Sequence, residues 1–202
     1  MIRSCSRKCQ LLALFLFAAS PVLFASALSI NFEGLSDSTF VTTQYPGLTF
    51  SNAIILTSGI SLNELDFPPR SGINVVSDAG GPISLVFSAP VLDFFGFFTY
   101  VSPVTIQGFD LSNNLLASAA SLFATNTVSG GDPGSSPNES VHIASATGLS
   151  RVVITGDPAG SSFTLDDVTY TTGQVDSVPE PSSMVLTGLT VLLLAAKASR
   201  RR

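Results

Sequence analysis

Short apolar runs separated by turn signals dominate the middle of the chain. Runs rich in Val, Ile, Phe and Thr recur at Ser29–Glu33, Leu48–Ser51, Gly72–Val76, Ile83–Ser88, Val91–Thr99, Val104–Asp110, Leu115–Leu122, Ser140–Ala144, Arg151–Thr155 and Ser162–Tyr170. Their length and their β-branched and aromatic content predict strands. Between them stand Asp78-Ala-Gly-Gly-Pro82, Ala89-Pro90, Ser102-Pro103, Ser112-Asn-Asn114 and Asp157-Pro-Ala-Gly160, whose Gly, Asn and Asp favour turns or whose Pro lacks an amide donor, and which are therefore expected to end strands. Period-two alternation places Ile83, Leu85 and Phe87 on one face, and Val104, Ile106 and Gly108 on another. In the last run it puts Phe163, Leu165, Asp167 and Thr169 on one side, with Thr164, Asp166, Val168 and Tyr170 opposite. Helical periodicity is absent here. The expected fold is all-β, a single jelly-roll-like β-sandwich over residues 28–174. Ser129–Glu139 carries no pattern and is expected as an exposed loop.

The run Phe94-Phe95-Gly96-Phe97-Phe98-Thr99-Tyr100 supports two readings. One is a central strand covered on both faces. The other is a platform of exposed rings on which sugars stack. Adjacent rings must alternate faces, so most are expected to be buried. The chain has no Trp, and only Tyr45, Tyr100 and Tyr170 offer amphipathic rings, which weakens the stacking reading.

Both ends follow a different pattern. Arg3, Arg7 and Lys8 precede the apolar Leu11–Ala19, and Ala25-Ser26-Ala27 then forms an A-x-A site. Residues 1–27 therefore read as a secretory signal passed to the translocon, with cleavage marked by Ala25 and Ala27 and a mature start near Leu28. At the other end, residues 175–183 form a linker containing Val178, Pro179, Glu180 and Pro181. Residues 184–202 follow: an uncharged Met184–Ala196, then Lys197, Arg200, Arg201 and Arg202. Prolines favour an extended approach, Ser182 and Ser183 suit a helix N-cap, and terminal basic residues hold a membrane helix with its C-terminus inside. The segment is short for a transmembrane helix, which needs ~20 residues, but it reaches a thin bilayer with its cations extended outward. A buried C-terminal helix with basic charges at its end is the competing reading.

With the two ends set aside, the charge changes sharply. Leu28–Ser177 contains two arginines, Arg70 and Arg151, against thirteen acids, a net charge of −11. Nucleic acid, which needs a basic surface, is excluded as a partner. Cys5 and Cys9 are the only cysteines and lie in the leader, so the mature chain can hold no disulfide or thiol site.

Val178-Pro179-Glu180-Pro181, the hydrophobic stretch and the arginine cluster resemble the PEP-CTERM sorting signal of Gram-negative bacteria. The resemblance covers about the last 25 residues. It implies an exosortase-type membrane transpeptidase as partner, with Pro179, Glu180 and Pro181 as the residues it recognises. It also implies an inner-membrane-tethered precursor that ends in the cell envelope or outside the cell, in organisms that make extracellular polysaccharide. Gly188 and two threonines interrupt the apolar run slightly.

A second resemblance joins the chain's first and last strands. Phe32-Glu33-Gly34-Leu35 and Phe163–Tyr170 are similar to the paired terminal strands of carbohydrate-binding-module-like jelly rolls. That likeness implies a structural calcium ion held by Glu33 with Asp166 or Asp167. Hard oxygen ligands suit Ca²⁺, and the ion would replace a missing disulfide. Two solvent-facing acids on edge strands are the alternative.

Catalytic constellations are scarce. His142 is the only histidine, which excludes a His-based zinc site, and no G-x-S-x-G elbow accompanies it. No catalytic residue is assigned. The sequence therefore points to a non-catalytic exported surface or matrix protein, structural or adhesive, with polysaccharide as a candidate ligand. A secreted glycan hydrolase or lyase using paired carboxylates is the rival, and a structural protein that touches no sugar is a third reading.

Overall fold

The computed structural model describes residues 24–174. The leader's charged and apolar parts, the Val178–Pro181 motif, Met184–Ala196 and the basic tail lie outside these residues. Ten strands are present: β1 (Phe24–Ile30), β2 (Phe40–Val41), β3 (Leu48–Ser51), β4 (Ala53–Thr57), β5 (Asn74–Asp78), β6 (Ile83–Tyr100), β7 (Thr105–Phe109), β8 (Leu115–Ala120), β9 (Glu139–Thr155) and β10 (Phe163–Gln174). Every strand pairing is antiparallel. No helix occurs among the described residues.

The described residues do not split into two separate sheets. One hydrogen-bonded path runs β2-β4-β5-β10-β6-β9-β7-β8, with β1 added to β10 and β3 to β6. This sheet folds over a shared core because its three long strands bend. On β9, Ile143 pairs near Phe94 of β6, whereas Val152 pairs with Gly108 of β7. A Cβ at Gly108 would nonetheless lie 2.9 Å from Ile143 Cδ1 and 2.6 Å from Leu149 Cδ2. Nine straight residues would span about 30 Å, so the two halves of β9 must turn toward each other across the core.

On β6 between Val91 and Phe94, and on β9 and β10, a register shift reverses which residues point inward. The inward series on β6 passes from Ile83, Leu85 and Phe87 through Val91 to Phe94 and Phe98. On β9 it passes from Val141 and Ile143 to Leu149, Val152 and Ile154. On β10 it passes from Phe163 and Leu165 to Val168 and Tyr170, across a shift between Asp166 and Thr169. One added residue in a strand moves every later side chain to the opposite face.

This corrects three expectations. The strict alternation expected for Phe163–Tyr170 holds only as far as the bulge, where Asp167 sits at φ 46°. Ala89-Pro90 does not end a strand; β6 continues through it as a corner. There Pro90 packs against Gly148 of β9, where an added Cβ would lie 2.7 Å from the proline ring. The separate strands expected on either side of Ala89-Pro90, and at Ser140–Ala144 and Arg151–Thr155, are the halves of β6 and β9. β4, with its alternately buried AIILT, was not among the expected strands and is fully paired to β5.

A single apolar cluster fills the space between the layers, with Phe32, Phe94, Phe98, Leu85, Ile154 and Leu165 all at 0 % exposure. Buried amides stitch the loops onto it. Asn126 Oδ1 accepts from Tyr100 N at 2.7 Å, while its Nδ2 donates to Phe98 O and Ser136 O. Ser129–Glu139 is largely exposed, as expected, but it is strapped down by these bonds and by Asn138 Nδ2 donating to Pro68 O.

Candidate functional site

The outer face of β1, β10, β6 and β9 carries the molecule's most distinctive surface. Alternation on β6 turns Phe94, Gly96 and Phe98 into the core and leaves Asp93, Phe95 and Phe97 half-buried on the outside. Gly96 is required between the rings, because a Cβ there would lie 2.5 Å from Leu165 Cδ1. Register then sets two rows across the sheet. Ser29, Thr169, Phe95 and His142 form one; Ala27, Thr171, Asp93 and Ala144 form the next. Four strands span about 14 Å at ~4.8 Å spacing, room for a few sugar rings.

Ring geometry fixes this ledge. Phe95 and Phe97 meet edge to face at 6.2 Å, and Phe95 meets the exposed His142 ring at 6.1 Å. Arg70 lies over Phe97, its guanidinium carbon 3.8 Å from the ring centroid, a cation–π contact that closes that end. Hydroxyls line the opposite side, where Ser29 Oγ and Thr169 Oγ1 are 2.8 Å apart. One oxygen of Asp93 is packed under its neighbours without a donor.

The reading of the Phe run as a strand covered on both faces holds for one face only. Phe94 and Phe98 are core, whereas Phe95 and Phe97 form an outer aromatic surface. His142 faces outward from β9. Arg70, Thr169 and Asp93 escaped the sequence reading. Arg70 is thirty or so positions from the ring it covers, and only the β6–β10 register places the threonines beside Phe95.

Glu33, Asp166 and Asp167 converge on one segment, residues 70–74, Glu33 and Asp166 as acceptors of backbone donors and Asp167 as an acceptor of side-chain ones. Asp166 Oδ2 accepts from Arg70 N at 2.8 Å and Ser71 N at 2.9 Å, and its Oδ1 accepts from Asp167 N. Glu33 Oε1 accepts from Ile73 N and Asn74 N at 2.9 and 2.8 Å. Asp167 accepts from Ser71 Oγ and lies 4.0 Å from Arg70 Nε. A calcium ion bound by these oxygens would have to face N–H dipoles pointing at it with their positive ends. Among the described residues no three acidic, His or Cys side chains assemble as a metal requires. The carboxylates do not fit the ion that the sequence resemblance implies; they clasp a loop instead.

Burial dominates the acidity of Asp166, pushing its carboxyl up to about 6 against the opposing amide bonds. Asp78, also buried, is raised for the same reason while it accepts from Ser162 N and Phe163 N. Tyr100 is pushed up to about 12 by burial and by its short hydrogen bond to the Glu139 carboxylate. Asp166 is the acid best tuned for proton transfer, but it is 1 % exposed beneath the backbone of residues 70–71. Substrate could not reach it.

A recess of about 240 Å³ lies on the same outer side, lined by Ile54, Leu56, Phe67 and Phe163 with the hydroxyls of Ser77 and Thr164. Ser77 Oγ already donates to Phe163 O, so this recess offers a ligand little unpaired polarity.

Ala25 and Ala27 fall inside β1, paired with Gly173 and Thr171 of β10. Cleavage after Ala27 would leave Leu28–Ile30 as the paired part of this strand.

No protein-family model and no curated protein matches the chain by sequence. Solved structures similar in shape include the K1 cleaved adhesin domain of Lys-gingipain from Porphyromonas gingivalis, at 12% identity and a TM-score of 0.46, covering 74% of this chain and 99% of that one. A family 29 carbohydrate binding module from Piromyces equi is 11% identical with a TM-score of 0.41, covering 76% and 94%. A DUF4465 family protein from Bacteroides caccae is 12% identical with a TM-score of 0.44, covering 72% and 98%. Scores this low do not establish a shared fold.

Proposed function

We propose that this chain is a non-catalytic exported protein, structural or adhesive, that contacts glycan through the ledge centred on Phe95. The observation that carries this reading is the pair of half-buried rings, Phe95 and Phe97, held on an outer sheet face by buried partners on either side and bordered by hydroxyl, carboxylate and imidazole groups. A pyranose presents an apolar C–H face and a rim of hydroxyls, and this surface offers complements to both. Rigid strands hold the rings, so little order is lost on binding.

The leader and tail supply the route: passage through the translocon, retention at the inner membrane by the C-terminal segment, and processing by an exosortase-type transpeptidase near Pro179-Glu180-Pro181. The destination is the cell envelope or the extracellular polysaccharide matrix. Truncation of Val178–Arg202 is expected to change the final location; unchanged localisation of the truncated chain removes the sorting claim.

Against the hydrolase or lyase reading stands the use the fold makes of its acids. Asp166, Asp78 and Glu33 each receive backbone N–H donors and hold loops. The binding reading is tested by retention of the protein on immobilised polysaccharides together with an assay for reducing ends and unsaturated sugars. Retention without turnover, lost in Phe95→Ala, is the expected result; release of new ends favours the enzyme.

A further inference from the structure

We infer, resting on the glycan reading above, that the ledge takes an uncharged pyranose chain and rejects uronate or sulfated chains, with Asp93 drawing that distinction. The charge inventory is the starting point. Residues 24–174 contain two arginines, no lysine and twelve acids. Recognition of an anionic sugar calls for a guanidinium or ammonium turned toward it, ideally with the bidentate fork of arginine. Arg151 belongs to the other half of β9, and Arg70, half-exposed at the end of the ledge, is taken up by Phe97 and Asp167. Arg70 lies flat over Phe97, with Asp167 4.0 Å from its Nε. Arg151 stacks over Phe109, 4.3 Å from the ring centroid, and donates to Asn113 Oδ1 at 3.0 Å.

Asp93 sits on the same outward face as Phe95, two residues earlier on β6, in the row flanked by Thr171 and Ala144. Among the described residues the one approach within 4 Å between Lys or Arg and an acid is Arg70–Asp167, so Asp93 has no counter-charge. One of its oxygens is already packed without a donor, so the group gains most from hydrogen-bond donors that reach the other. An ionised carboxylate only accepts. Sugar hydroxyls donate to it, whereas a uronate carboxylate or sulfate beside it meets a like charge. Thr169, Thr171 and Ser29 donate or accept equally well and carry no charge preference. The ring of Phe95 reads only the apolar face. With Arg70 stacked on Phe97 and the His142 ring set T-shaped against Phe95, repulsion of anionic chains falls to Asp93.

The test is retention of the full chain, held in detergent micelles because of its apolar tail, on beads carrying neutral glucan, mannan or xylan, a polyuronate, or a deacetylated amino-sugar polymer. Wild type is expected to bind at least one neutral polymer roughly tenfold or more above the polyuronate, about 1.4 kcal/mol of selectivity. Asp93→Asn, with its melting temperature measured alongside, is expected to keep the fold and bring the polyuronate within a few-fold of the neutral polymer. Phe95→Ala is expected to lose both. Polyuronate bound as well as neutral polymer by wild type overturns the inference, as does a ratio unchanged in Asp93→Asn. Preferential binding of the amino-sugar polymer, abolished in Asp93→Asn, also overturns it by assigning a cationic ligand. In each of these cases Phe95-dependent binding leaves the glycan reading standing. Retention of no polymer, or retention that survives Phe95→Ala, defeats the glycan reading itself.

Discussion

The two faces of β6 between Val91 and Tyr100 use the same residue type for opposite ends. Inside, Phe94 and Phe98 are fully buried, and Phe98 meets Phe163 at 6.0 Å. Outside, Phe95 and Phe97 contact an imidazole and a guanidinium and keep part of their surface open. A ring's contribution is set by what surrounds it: the inner pair holds the layers together, and the outer pair shapes a surface. Gly96 makes the division possible, because any side chain there would push into Leu165.

Truncating the inner rings should give the largest effect. Phe98→Ala is expected to destabilise the domain by about 3–5 kcal/mol, through lost burial and the cavity left behind, measured by urea unfolding. A change under about 1 kcal/mol would show that the inner and outer faces are not energetically distinct.

The clasp beneath the outer face comes next, and it responds to pH. The folded-state value of Asp166 is about 6, against about 3.9 for an unfolded aspartate, so the folded chain holds this proton more tightly. Its contribution to stability is fully present below about pH 4 and is lost as pH rises through 6, a swing of roughly 2–3 kcal/mol. Asp37, Asp66 and Asp110 are shifted the other way, chiefly by side-chain hydrogen bonds, and lose their contribution as pH falls through their own lowered values. Comparing wild type with Asp166→Asn across pH 4–7 isolates the difference: the variant should lack the upward trend toward acid. Parallel curves would show that the raised acid has no such influence.

Gly72→Ala probes the same clasp through its backbone. Gly72 lies at φ 56°, and a Cβ would fall 2.3 Å from the Glu33 carboxyl, which is held by two amides. A loss of about 1–3 kcal/mol is expected, with the Arg70 stacking on Phe97 disturbed. Thermal melts read the first effect and retention on glycan beads the second.

The smallest stability effect belongs to the outer rings. Phe95→Ala should lower stability by less than about 1 kcal/mol while removing glycan retention. A large fall in melting temperature with retention intact would invert the comparison and make the outer rings structural.

Much of this architecture is legible in the sequence. The expected bounds match β3, and match β7 and β8 to within two residues at each end, because turn residues flank all three and burial alternates along β3 and β7. The corners were not legible. Ala89-Pro90 has the composition of a strand break, yet Pro90 is accommodated where the register shifts and Gly148 leaves space for it. The bulge at Asp167 defeats simple alternation, because an extra residue leaves no mark in composition. Glu33, Asp166 and Asp167 were brought together by sequence reasoning as ligands of one ion. They do act on one segment, but the partners of Glu33 and Asp166 are backbone amides of residues 70–74, and those of Asp167 are the Ser71 hydroxyl and the Arg70 side chain, which no spacing rule could have paired with them.

Composition and local periodicity alone determined that the middle of this chain is β, acidic and free of cysteine, since each follows from residue type and near-neighbour order. Which face each ring occupies, and which acid lies beneath a loop rather than beside a ring, depends on register between strands far apart in the chain, as in the contact of Ser29 with Thr169 across 140 positions. Such pairings are settled by how the bent strands close over a common core, and that choice exists only in three dimensions.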